Sequence, residues 1–262
     1  MASDRAGQSE LEEVLIAPPL RIRFAPGRSR LLAVSLSGVG TDRHSEPSVE
    51  FFRLAGAGGE NPVLFVTDQS RSWLNAPHMA DQIVGTIEAT ASFVGAERIV
   101  LLGNSMGATM ALHLANLMPV HRVIAFVPQV SVHPEDVPEE TRWVFFRKQI
   151  RDWTCRRILR WPEQASVFVV HGDTEDELIH ALRFPAPAEN VAHFILPRAD
   201  HNLARTLHAQ GRLGEIVGHM MHGRRIPARD AIFGLGGMRR QKFSAAREAA
   251  GKVGALQWGH AV

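Results

Sequence analysis

The pentapeptide Gly103-Asn104-Ser105-Met106-Gly107 is where this 262-residue chain comes closest to a reactive group by residue type and spacing. A serine hydroxyl attacks an acyl carbon only when a neighbouring base removes its proton, and that base needs an orienting acid. In a G-x-S-x-G run the glycines free the backbone for a sharp turn that presents the hydroxyl. The flanks suit such a turn. Ile99-Val100-Leu101-Leu102 reads as a buried strand before it, and a helix rich in small residues (Ala108, Ala111, Ala115) follows. The N-terminus of that helix points its dipole at developing negative charge. The competing reading is an ordinary strand-to-helix turn with a serine cap and packing glycines.

Strand, pentapeptide and helix together resemble the nucleophile elbow of the α/β-hydrolase superfamily, and residues 20–222 resemble its architecture. The resemblance implies Ser105 as nucleophile, followed in chain order by an acid and a histidine. The superfamily's histidine follows the last strand. Here Phe194-Ile195-Leu196-Pro197-Arg198 is followed by Ala199-Asp200-His201-Asn202, which selects His201 among thirteen histidines. His171 reads as structural, and His208, His219 and His222 as surface or packing residues. The acid is expected after the strand that ends in His171-Gly172. Asp173, Glu175, Asp176 and Glu177 crowd that loop. Strict spacing on H-G-x-x-D selects Glu175, whereas alignment on Leu178-Ile179-His180 selects Asp176. Asp176 is the expectation, with Glu175 and Asp173 as alternatives. The resemblance further implies two N–H donors for an oxyanion. One is Met106, directly after the nucleophile. The other is Val39, in the loop Ser37-Gly38-Val39-Gly40, with Ser37 where histidine is common. No cofactor is implied. A dinucleotide loop at Gly38-Val39-Gly40 is disfavoured because Arg43 stands where the third glycine belongs.

These residues need elements to hold them. Short apolar runs at 31–37, 61–68, 97–103, 121–128, 166–172 and 190–198 read as strands, and helical periodicity lies between them at 79–94 and 106–118. Residues 20–25 alternate apolar and basic, as a half-exposed edge strand does. The implied fold class is α/β: a mostly parallel central sheet, helices on both faces, and a helical cap inserted at 131–163. Residues 1–19 read as a flexible lead-in and 223–262 as a basic, Gly-rich extension, with Arg239, Arg240 and Lys242 solvated. The segment 202–221 reads as helix, open to a break at Gly211 or Gly214.

In the cap, aromatic residues (Trp143, Phe146, Ile150, Trp153, Trp161) interleave with basic ones (Arg142, Arg147, Lys148, Arg151, Arg156, Arg157, Arg160) at roughly helical spacing. That reads as a basic amphipathic helix with an aromatic core face. A basic wall at the site mouth would favour an anionic acyl substrate. Ser37 is a candidate substrate contact, and so are Arg71 and Trp73 in the loop after the 61–68 strand, which could equally brace that loop.

Bulk properties set limits. A hydrophobic fraction of 45% supplies a core for one domain. A net charge of +2 makes no global case for nucleic acid or membrane. No run approaches the ~20 apolar residues of a membrane span. The start of the chain lacks an apolar signal segment, and the single Cys155 cannot build a disulfide framework, so the expected compartment is the cytoplasm. The spacing of His, Cys and acids matches no metal motif. The expected activity is ester or thioester hydrolysis, with acyl transfer to a glycan or lipid acceptor, or a non-catalytic binding module, as alternatives.

Overall fold

The computed structural model describes residues 11–258. Strands β1 (Glu12–Ala17), β2 (Leu20–Ala25), β3 (Leu31–Leu36), β4 (Val63–Asp68), β5 (Arg98–Asn104), β6 (Arg122–Phe126), β7 (Ser166–Gly172), β8 (Val191–Leu196) and β9 (Met238–Arg239) join in one sheet of order β1-β2-β4-β3-β5-β6-β7-β8-β9. Strands β3 to β8 run parallel, while β1, β2 and β9 pair antiparallel at the two edges. The parallel strands are mostly apolar because both of their faces are covered. Leu32, Val34 and Leu36 of β3 point into one core, and Leu31 and Ala33 into the other.

Helices α1 (Phe52–Gly56), α2 (Met79–Val94), α3 (Met106–Leu114), α4 (Val144–Arg147), α5 (Glu175–Ala181), α6 (Leu203–Ala209), α7 (Leu213–Met221), α8 (Arg225–Phe233) and α9 (Arg240–Trp258) complete the chain. Met79, Ile83 and Ile87 of α2 and the buried side of α3 fill the first core. Leu203 and Leu207 of α6, Val217 and Met220 of α7, and Ile232 of α8 fill the second. The chain runs from β3 outward to β4, then crosses to β5 on the other side of β3. The carboxyl ends of β3 and β5 therefore flank a topological switch point, where an open parallel sheet leaves a crevice.

The expectations for the start of the chain, the cap and the tail need correcting. Residues 12–17 are an edge strand, not part of a flexible lead-in, and they make β2 the second strand instead of the edge. The pairing is a hairpin with β2, a contact that local composition does not announce. The cap has one short helix, α4, and is otherwise irregular, so the periodicity of its aromatics does not report a long helix. Residues 223–258 are folded: α8 packs on the second core and β9 pairs with β8. Arg240 is buried there, donating to the carbonyls of Ala181 and Phe184 at 2.8 Å each. The 202–221 segment breaks at Gly211, which adopts φ 69°, while Gly214 lies inside α7. Among the described residues no helix is long and apolar enough to cross a membrane.

Candidate active site

Ser105 stands between β5 and α3 with φ 54° and ψ −122°, a strained conformation for a residue with a side chain. Its neighbours make that turn possible. A Cβ on Gly107 would lie 2.6 Å from the Leu36 carbonyl carbon, and one on Gly103 would lie 2.5 Å from the Ala108 nitrogen. Glycine at both positions lets α3 press against β3 and β5. The Ser105 N–H donates to Phe126 O at 2.8 Å, tying the turn to the end of β6.

The Ser105 Oγ is 2.8 Å from Nε2 of His201, and Nδ1 of His201 is 2.7 Å from Oε1 of Glu177. A carboxylate only accepts, so Nδ1 carries the ring proton and Nε2 is the acceptor for the serine hydroxyl. The structure thus brings Ser105 and His201 together, but not Asp176. Asp176 is half exposed and turns toward Arg142, whose Nη1 lies 2.9 Å from its Oδ2, whereas Glu177 is 1% exposed and faces the histidine. Glu175 is exposed and reaches Arg247, and the carboxylate bonded to His201 among the described residues is that of Glu177, not of Asp173. The cause is helical geometry. Leu178 and Ala181 define the inward stripe of α5 by packing on Ile195, and Glu177 lies four residues before Ala181 on that stripe. Asp176 lies one step, about 100°, around the helix.

Burial pushes the Glu177 carboxyl up, but the hydrogen bond from His201 and the surrounding positive charge outweigh it and hold the group below its ordinary value. Arg142 shares Oε1 of Glu177 at 3.0 Å and also pairs with Glu140, while Oε2 of Glu177 has no partner among the described residues. Glu140 in turn accepts from His180 at 2.7 Å. Trp143 lies against the His201 ring, with centroids 5.6 Å apart. Cap residues therefore touch both the histidine and its acid. This also revises the expected basic wall. Arg142 is neutralised by carboxylates, as is Arg156 by Glu135 and Asp136 at 2.9 and 3.0 Å. Arg147 is turned to the Glu140 carbonyl.

The two loops expected to supply N–H groups lie beside Ser105. Met106 opens α3, so its N–H is among the four with no intrahelical acceptor. Val39 is buried in the loop after β3. The N–H of neighbouring Gly38 is taken by the Glu50 carboxylate. The Ser37 hydroxyl is buried against Thr67 at 3.5 Å, and its N–H donates to Val66 O. Of the two roles expected of Arg71, the structure displays the bracing one. Arg71 is buried and donates to the carbonyls of Val39, Gln69, Asp42 and Ser45, bracing the loop that carries Val39. Trp73 is buried too, and its indole N–H donates to Gln129 Oε1 at 3.0 Å. Gln129 then donates from Nε2 to Ser105 Oγ at 3.0 Å. No motif in the sequence marks Gln129, a lone polar residue after β6.

Glu50 brings a second acid to the site. Its Oε1 and the Ser105 Cβ both lie within 4 Å of the point where a Cβ on Gly38 would sit. Its Oε2 is buried without a hydrogen-bond partner among the described residues. Burial pushes this carboxyl up to about 7, against the opposing hydrogen bond from Gly38. The folded state therefore holds the proton more tightly than the unfolded chain. The group's contribution to stability is complete below its ordinary value of 4.5 and is lost as pH rises through about 7. By linkage the loss amounts to about 3 kcal/mol. Glu50→Gln, which stays neutral, is expected to match wild type at pH 4 in urea unfolding and to exceed it at pH 8.5. Parallel curves at both pH values would show that Glu50 does not titrate in the folded state.

Among the described residues no group of three or more His, Cys, Asp or Glu converges as a metal-binding cluster. No protein-family model matches the sequence, and no curated protein matches it. Solved structures do resemble it. The capsule O-acetyltransferase of Neisseria meningitidis serogroup A superposes with a TM-score of 0.57 at 11% identity, covering 79% of this chain and 94% of that one. An esterase of Pyrococcus furiosus gives 0.53 at 13% identity, over 81% and 93% of the two chains. A serine hydrolase without lid from Xanthomonas campestris gives 0.50 at 14% identity, over 83% and 94%. With the nine-stranded order, the strained serine turn and these superpositions together, the chain has the α/β-hydrolase fold.

Proposed function

We propose that the protein is a serine-dependent acyl-transfer enzyme that cleaves an ester or thioester through Ser105, His201 and Glu177. The observation that carries this reading is the continuous hydrogen-bonded series from Ser105 Oγ through His201 to Glu177, with 2.8 and 2.7 Å links. His201 Nε2 takes the hydroxyl proton as Oγ bonds to the acyl carbon. The carbonyl electron pair moves onto oxygen, where the N–H groups of Met106 and Val39 receive it. Glu177 keeps the ring in the productive tautomer and balances the imidazolium. The carbonyl then re-forms, the bond to the leaving group breaks, and His201 returns the proton to that group. Water activated by the same histidine releases the acid.

An acceptor alcohol in place of water turns the same intermediate into an acyl transferase. The likeness in fold to the capsule O-acetyltransferase supports keeping this as the second reading. The substrate is a small-molecule acyl compound. Pairing of Arg142 and Arg156 with carboxylates weakens the case that it is anionic.

A fluorophosphonate probe tests the proposal. Wild type is expected to label on Ser105, and folded Ser105→Ala is expected not to label. Turnover of a trapped acyl-enzyme by water against added alcohols then separates hydrolase from transferase. Folded wild type that does not label would overturn both readings and favour a binding module.

A further inference from the structure

Gln129 is fully buried, and the two ends of its side-chain amide face different partners. Its Oε1 accepts from the indole N–H of Trp73 at 3.0 Å and lies 3.2 Å from the Thr109 hydroxyl. An indole N–H can only donate, so the carbonyl end of the amide must face Trp73. The nitrogen end is thereby directed at Ser105, where Nε2 lies 3.0 Å from Oγ. The backbone is locked as well. The Gln129 N–H donates to Thr109 Oγ1 at 2.9 Å, and that hydroxyl lies 3.0 Å from Gln129 O. Thr109 stands one turn into α3, so the nucleophile's own helix holds the amide in register with the serine.

An amide nitrogen carries two hydrogens. Ser105 Oγ is the one acceptor of Nε2 among the described residues. The second hydrogen is a buried donor without a partner, which is worth about 1–3 kcal/mol if left unmet. A residue that served only to fill the core would not need this nitrogen, since an apolar side chain of the same size would avoid that cost.

Resting on the acyl-transfer reading above, we infer that Gln129 is a catalytic residue whose side-chain amide donates to the reacting oxygens. In the free enzyme it holds Oγ with a lone pair facing the substrate space. As Oγ bonds to the acyl carbon, negative charge leaves the serine and builds on the acyl oxygen attached to that same carbon. The amide then has two acceptors on one tetrahedral centre, and its second hydrogen meets the acyl oxygen. Gln129 remains neutral throughout, because the only proton that moves goes from Oγ to His201. In this buried setting a fixed donor acts at low local dielectric and needs no reorganisation. Trp73 is a positioning residue. It touches no reacting atom and acts by fixing which end of the amide faces the serine.

The test uses Gln129→Met, which keeps the length and removes the donor, and Trp73→Phe, which keeps Gln129 and removes the lock. Both are checked for folding by thermal unfolding. Gln129→Met is expected to lower kcat by about 10²-fold with KM little changed, as for loss of one oxyanion donor. Fluorophosphonate labelling of Ser105 is expected to slow in parallel. Trp73→Phe is expected to show a smaller loss in kcat and to add nothing in the Gln129→Met background, since both act through one hydrogen bond. Unchanged kcat and labelling in folded Gln129→Met would overturn the inference while leaving the serine mechanism in place. If Gln129→Met does not fold, Trp73→Phe decides alone: wild-type kcat overturns the inference, and reduced kcat at unchanged KM sustains it. Wild type that does not label removes the acyl-transfer reading itself.

Discussion

Glu177→Gln is expected to lower kcat by about 10⁴-fold, the scale seen when a triad carboxylate becomes an amide, while Asp176→Asn leaves kcat near wild type. The two residues are adjacent in the chain and differ in what they face. Glu177 Oε1 lies 2.7 Å from Nδ1 of His201, so its charge selects the tautomer in which Nε2 can take the serine proton. Glutamine keeps the shape but can turn an N–H toward the ring, which favours the tautomer that cannot accept from Ser105. It also leaves the imidazolium formed during attack without its counter-charge. Asp176 pairs with Arg142 at a half-exposed position, and Arg142 retains Glu140 when Asp176 is neutralised. Steady-state kinetics on an activated ester, with the folded fraction of each variant measured, compare the two. Loss in Asp176→Asn with activity retained in Glu177→Gln would return the acid role to Asp176.

Gly172→Ala is expected to be among the most damaging single methyl additions near the site. Gly172 ends β7, and a Cβ there would lie 2.5 Å from the Ala199 carbonyl carbon and 3.1 Å from the Asp200 nitrogen. The obstacle is backbone, and it is held: Asp173 N donates to Ala199 O at 3.1 Å. The acid follows one side of this contact by five residues, and His201 follows the other by two. A methyl group wedges the loops that must keep Glu177 and His201 within hydrogen-bond distance. Overpacking against backbone is expected to cost about 3 kcal/mol or more, read by urea unfolding. Activity per folded molecule is expected to fall by about 10²-fold, the cost of a misplacement near 1 Å. Wild-type stability and activity would show that the two loops do not meet at this point.

The sequence made some of this legible and not the rest, and the division has physical causes. Ser105 and the parallel strands are announced by local signals: an apolar run, a turn that only glycine permits at its flanks, and a helix of small residues. His201 is set by its place after the last long strand. Glu177 is obscure in the sequence because loop spacing points to its neighbours and only helix phase points to it. Leu178 and Ala181 already mark the inward stripe, and extending it back by four residues reaches Glu177. The edge strands were hidden for another reason. A strand of two residues such as β9 has no period of its own, and its pairing with β8 is made by tertiary structure alone. Arg71, Trp73 and Gln129 carry no motif. Their roles come from partners far along the chain, such as the 56 residues separating Trp73 from Gln129.

The cap's hold on the site bears on how such enzymes can be remodelled. A segment inserted between two strands is topologically a module, since it can be exchanged without recutting the sheet. Here the exchange would reach the chemistry. Arg142 and Trp143 come from that segment, and they are the second partner of the acid's Oε1 and the aromatic wall of the histidine. Glu177 already carries one unpartnered oxygen. Removing Arg142 would leave a buried carboxylate with His201 as its one hydrogen-bond donor among the described residues, a loss on the order of 3–5 kcal/mol for a broken buried pair. A transplanted cap would therefore have to bring an equivalent cation at the same point, so on the proposed acyl-transfer reading substrate scope and catalytic competence are inherited together.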